Sequence, residues 1–174
     1  MGYVNPITQK IQVSQPINSN ARSGWLMLGD DLSIETIDCG IKNVVSMAAG
    51  WSKDIEENFD LAPAVVRFKN GALNDTLERA KKKLTIHTKF LDAEAWSEDV
   101  LTWVEQQHLQ QVICLETPVG PWREILIPLQ KRLLARGVKL VEVTRAWDKT
   151  LWPLATGGFF GFYKKARNKL DMLH

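Results

Sequence analysis

Two short stretches bring together residues that could do chemistry. Gly29, Asp30 and Asp31 follow the apolar run "GWLML", and Glu116, Thr117, Pro118, Val119 and Gly120 follow "VICL". Gly120 and Pro121 have the composition of a helix start, whose unpaired amides could hold a phosphate, and Arg123 could add its charge. Neither stretch contains GxGxxG or GxxxxGK[ST], and Asp30 and Asp31 would repel a bare phosphate. Asp31 could equally cap a following turn. Two readings therefore stand: a nucleotide-like ligand held by Gly29, Asp30, Asp31, Glu116, Thr117, Gly120 and Arg123, or a crevice that is only structural. Elsewhere the chemistry is sparse. His87, His108 and His174 lack metal-ligand spacing, and Glu56-Glu57 and Glu98-Asp99 sit in polar helical surroundings that suit solvated faces. Ser23, Ser33, Ser46, Ser52 and Ser97 lack a nucleophile-elbow context. The sequence nominates no catalytic residue and no metal site.

A different kind of chemistry gathers near the C-terminus, where "WDKTLWPLATGGFFGFYKK" runs from Trp147 to Lys165. Aromatic side chains beside lysines can pack on a protein partner or stack on bases while the cations neutralise phosphates. Trp147, Trp152, Phe159, Phe160, Phe162, Tyr163, Lys164 and Lys165 are the candidate contact residues, and the Gly-Gly pair would permit a turn that aims them. Of the seven tryptophans, Trp25, Trp96 and Trp103 lie within apolar segments and read as packing. Trp51, Trp122, Trp147 and Trp152 fall at element ends and read as contacts for a ligand or partner.

The elements that must position these groups are legible as an alternation. "GWLMLGDD", "NVVSMAAGW", "TIHTKF", "QQVICLE" and "VKLVEVTR" are five short apolar runs, the signature of buried parallel strands. Between them lie helical stretches. Pro63 opens one in which Val66, Leu73, Leu77, Ala80 and Leu84 form an inward stripe, and "SEDVLTWVEQQH" forms another with Ser97 as its cap. A third starts at Gly120-Pro121 and ends at Gly137, with Pro128 expected to kink or shorten it. Parallel neighbours need crossover connections, so the fold class is α/β: a doubly wound, Rossmann-like, five-stranded parallel sheet of order 3-2-1-4-5 with helices on both faces. In that order the two candidate loops flank one crevice at the carboxyl ends of the strands.

At 174 residues, with 45% apolar content, the chain suits one domain. Residues 1–23 read as a polar N-terminal arm, 24–146 as the α/β domain and 147–174 as an aromatic-basic segment. The net charge of +2 argues for no global partner, but residues 145–170 hold six basic residues against one acidic. Cys39 and Cys114 form no CxxC pair, and Cys114 lies in an apolar strand as a buried thiol. With no signal-like or membrane-spanning run, a cytoplasmic location and no membrane partner are expected.

From the second strand onward the arrangement resembles the N-terminal α/β domain of the photolyase and cryptochrome family, over roughly residues 24–166. "VVRFKNGALNDTLERAKKKL" is similar to the long helix after the family's second strand. "QQVICLETPVGPWREILIPLQKRLLARGVKLVEV" is similar to its fourth strand, helix and fifth strand. "GGFFGFYKK" stands where members carry a Phe-x-x-Phe-x-Lys segment on leaving the domain. Two runs depart from the pattern. "WLMLGDDLS" replaces a "WFRRDLR"-like run, and "TPVGPW" replaces the acidic-aromatic loop with which many members hold an antenna chromophore, which argues against a folate or deazaflavin here.

The resemblance implies an accessory domain of a light-dependent DNA repair or signalling flavoprotein. In the family, FAD and DNA belong to a separate helical domain, which this chain lacks, so catalysis would reside in a partner chain docked on Trp147–Lys165. Two other readings remain. One is a small nucleotide-binding protein of the universal-stress or electron-transfer-flavoprotein type. The other is a ligand-free module whose aromatic-basic segment contacts protein or nucleic acid.

Overall fold

The computed structural model describes residues 16–29, 32, 43–117 and 119–170, with the side chains of residues 168 and 170 left undescribed. Strands β1 (Ser23–Met27), β2 (Val44–Ala49), β3 (His87–Phe90), β4 (Gln111–Leu115) and β5 (Lys139–Val143) form one sheet in the order β3-β2-β1-β4-β5. Every pairing is parallel. The chain moves outward from β1 through β2 to β3, then returns to the far side of β1 for β4 and β5. With right-handed crossovers that reversal sends the connecting helices to opposite faces, giving the doubly wound α/β fold the sequence implies.

Burial follows from this position. All of β1 and the first four residues of β4 are buried, because each lies between neighbours and under helices on both sides; edge strand β3 has no buried residue. Helix α1 spans Lys53–Asn58, α2 Pro63–Leu84, α3 Trp96–Gln106 and α4 Pro121–Leu134. Thr85, Gln107 and Ala135 follow the last three of these as C-caps.

The inward stripe of α2 is shorter than its spacing predicts. Leu73, Thr76, Leu77 and Ala80 are buried, Val66 is half-buried and Leu84 is exposed. Length explains the difference. Twenty-two helical residues extend about 33 Å, whereas the six residues of β2 cover only about 20 Å, so both helix ends overhang the sheet. Thr76 is tolerated inside because its hydroxyl donates to the carbonyls of Ala72 (2.9 Å) and Leu32 (3.2 Å).

Ser97 is not the cap of α3. The helix begins at Trp96 with Ala95 as N-cap, because the Trp96 indole is buried and donates to the Gly50 carbonyl at 3.0 Å, which pulls the first turn onto the end of β2. Trp103 anchors the same helix from a fully buried position, donating to Ser46 Oγ at 2.8 Å. This close seat needs Gly24: a Cβ there would lie 2.3 Å from Leu109 and 2.5 Å from the Trp103 ring. Helix α4 runs unbroken through Pro128. The proline lies on the exposed side, while Leu126, Leu129 and Leu133 hold the inner side on the core.

The first described residues are tied down as well. Asn18 N–H donates to Gln111 Oε1 at 3.1 Å and Arg22 N–H to Gln110 Oε1 at 2.9 Å, so the last residues of the polar arm are fastened beside the start of β4.

The chain divides into two compact units, one covering Gln15–Val143, the other including Thr144–His174. The second unit contains helix α5 (Ala146–Leu151), a 3-10 turn (Trp152–Leu154) and helix α6 (Phe159–Leu170), and α6 touches both of the others. Leu151 and Ala166 are buried.

Candidate functional site

The sheet order places β1 beside β4, so the loops after them flank one crevice. Asp30, Asp31 and Pro118 lie outside the described residues. Gly29 leaves β1 with φ of 88°, a left-handed conformation that favours glycine, and the Trp51 ring lies 3.2 Å from where its Cβ would be. Gly120, the N-cap of α4, has φ 154° and ψ −170°, again a glycine conformation.

Arg123, the expected phosphate ligand, is already engaged. Its Nη1 donates to Glu142 Oε1 at 2.6 Å, and its Nη2 donates to the Thr117 carbonyl. Thr117 N–H in turn donates to Glu142 Oε2 at 3.2 Å. Arg123, Glu142 and Thr117 thus form a closed ring of charge-assisted bonds joining α4, β5 and the loop after β4, with both charged side chains less than a third exposed. The start of α4 carries its own features. Pro121 has no N–H, Arg123 N–H donates to Gly120 O at 3.0 Å, and Glu124 adds negative charge to the first turn. Beside it, a cleft of about 290 Å³ between α1 and α4 is rimmed by Asp54, Glu57 and Glu124. These carboxylates disfavour an anion in that cleft, and the Arg123 cation is paired within the protein. Glu116 N–H donates to Val143 O at 2.8 Å, extending the sheet by one bond.

Glu142 escaped the sequence reading. Its signal was a lone carboxylate in the apolar strand "KLVEV", which requires a cationic partner once half-buried.

Trp51 and Trp122 are not contact residues. They are 6% and 4% exposed and pack together edge to face, with ring centroids 5.3 Å apart and planes at 89°. Trp96 completes the cluster, its centroid 5.2 Å from that of Trp122. Trp51 and Trp122 lie just past the end of β2 and at the start of α4, among the element ends at the carboxyl side of the sheet, and both rings are buried there. Among the described residues the buried indole N–H groups of Trp51 and Trp122 find no hydrogen-bond acceptor, and edge-to-face contact is the arrangement in which an aromatic face can compensate a ring edge. Lys69 Nζ sits 4.8 Å above the Trp51 ring. Cys114 is fully buried, and that burial, reinforced by nearby Glu142, pushes its thiol far up from the ordinary value. It is a core residue and no nucleophile. Cys39 lies outside the described residues. Among the described residues no cluster of His, Cys, Asp or Glu could hold a metal, and no helix is long and apolar enough to cross a membrane.

The C-terminal segment presents the opposite arrangement. Trp147 and Trp152 are 49% and 40% exposed, Phe159 69%, Phe160 85% and Tyr163 52%, with Lys164 and Lys165 exposed and Phe162 half-buried. Neither Gly157 nor Gly158 has positive φ. The pair acts instead as the entry to α6, where Gly158 O accepts from Phe162 N–H at 3.1 Å. Arg167 and Lys169, counted in the local charge but not among the contact residues, belong to the same exposed helix. Reading 159–170 as helical would have found them.

Comparison with known proteins returns no matching family model, no matching curated protein and no matching solved structure.

Proposed function

We propose that this chain is a non-catalytic α/β accessory domain of a photolyase-like flavoprotein system, acting with an FAD-binding helical domain on another chain in light-dependent DNA repair or signalling. The observation that carries the proposal is the exposure of Trp147 and Trp152 in a unit that follows the last strand of a 3-2-1-4-5 sheet. Exposed indoles at such a position are suited to bury against a second domain, since aromatic side chains dominate the cores of protein interfaces. Among the described residues beside the crevice, Arg123 is paired with Glu142 and Cys114 is inaccessible. The light-absorbing chemistry would belong to the flavin of the partner, while this chain would orient that domain.

The test is reconstitution with a flavin-binding photolyase-like protein of the same host. Co-elution of this chain with flavin absorbance near 450 nm is expected, with a Trp147→Ala/Trp152→Ala variant binding at least about tenfold more weakly, as for hot-spot aromatics. Separate elution of the two proteins at micromolar concentration overturns the proposal.

A further inference from the structure

We infer that helix α6 carries a platform for single-stranded nucleic acid, built from Phe159, Phe160 and Tyr163 and edged by Lys164, Lys165 and Arg167. Helical spacing places Phe159 and Tyr163 in one i, i+4 row and Phe160 and Lys164 in the next. Ala166 and Phe162, buried and half-buried, mark the inner side of the helix. The rings are organised and not merely adjacent. Phe159 and Tyr163 lie nearly parallel, with centroids 5.9 Å apart and planes at 23°, while Phe160 stands edge-on to Phe159 at 5.6 Å and 73°. All three are more than half exposed.

Charge selects the occupant. From Lys149 to Leu170 there is no acidic residue, and α6 alone carries Lys164, Lys165, Arg167 and Lys169. A polyanion with flat, unpaired faces matches both features: bases stack on aromatic rings without regard to sequence, and the cations replace counterions on the phosphates. A protein partner fits this surface less well. Lysine is depleted at interface cores, yet here lysines immediately follow the exposed rings. The inference does not rest on the accessory-domain reading, which draws on Trp147 and Trp152.

The experiment is fluorescence anisotropy of labelled oligothymidylate titrated with the full chain between about 50 and 200 mM salt. Saturable binding is expected, with log K falling linearly in log salt at about −0.7 per phosphate contacted, and a duplex of equal length should compete poorly because its bases are already stacked. Phe160→Ala/Tyr163→Ala should weaken binding at least about tenfold with the salt slope kept. Lys164→Glu/Lys165→Glu should weaken it and flatten the slope. Four outcomes overturn the inference: no binding at the lowest salt, equal affinity for duplex, aromatic variants that bind like the parent, or phosphatidylserine vesicles that strip the chain from the oligonucleotide. The assay needs no partner chain and leaves Trp147 and Trp152 intact, so its failure is distinct from failure of reconstitution.

Discussion

Arg123 closes a ring with Glu142 and Thr117, and removing the cation would leave a half-buried carboxylate facing an unpaired loop. Arg123→Met is therefore expected to destabilise the fold by about 2 kcal/mol, because breaking one side of a desolvated pair costs more than the pair contributes. Arg123→Met/Glu142→Gln should recover part of that loss, and urea unfolding of the two variants checks it. Gly24→Ala should cost about 2–3 kcal/mol by overpacking, since the added methyl meets the Trp103 ring and Leu109. Trp103 is fully buried and held by Ser46, so the ring cannot easily move aside. Both residues have chemically suggestive or neutral identities in the sequence; only their neighbours reveal the roles.

Helices show where local pattern suffices and where it fails. The end of α4 was legible: Gly137 takes φ of 73°, its N–H donates to Leu134 O at 2.9 Å, and Val138 N–H donates to Leu133 O at 3.0 Å, the bond pair of a Schellman cap. Among the described residues nothing lies within 4 Å of a Cβ added there, so Gly137→Ala isolates the backbone term. A loss of about 1 kcal/mol is expected, seen as a fall in Tm of about 2–4 °C. Helix α3 starts at Trp96 although Ser97 has the better cap chemistry, because the Trp96 indole bond to Gly50 outweighs a cap contribution of about 1 kcal/mol. Helices α5 and α6 escaped the sequence reading because their segment contains Pro153, Gly157, Gly158 and Gly161 and few strong helix formers.

At the scale of the molecule, the buried thiol reports on the integrity of the sheet. Burial raises the Cys114 thiol above its ordinary value of 9.0, so above that pH the unfolded chain ionises while the folded chain stays protonated. The unfolded state then binds fewer protons, and stability falls as pH rises. In a Cys39→Ser variant, the remaining thiol should resist Ellman's reagent in the folded state and react once urea unfolds the chain. Its urea midpoint should drop above about pH 9 more than that of Cys39→Ser/Cys114→Ala. Rapid labelling of the native variant would contradict the placement of Cys114 in the core of β4. The fold itself was legible because buried parallel strands must be apolar along their whole length, as "GWLML" and "VICL" are. The candidate crevice was only half legible: strand order brought the two loops together, but the pairing of Arg123 with Glu142 joins residues from separate elements and leaves no local trace.

The sequence by itself determined the five-stranded parallel sheet, its order and the cap at Gly137, because alternation of apolar runs with helices and the handedness of crossovers leave few other arrangements. Tertiary structure alone decided which aromatic residues are inside and which are outside. Trp51 and Trp122 lie at element ends just as Trp147 and Trp152 do, yet the first pair is buried and the second is exposed. Burial is set by what the rest of the chain packs against a residue, and no property of an indole or its immediate neighbours encodes that.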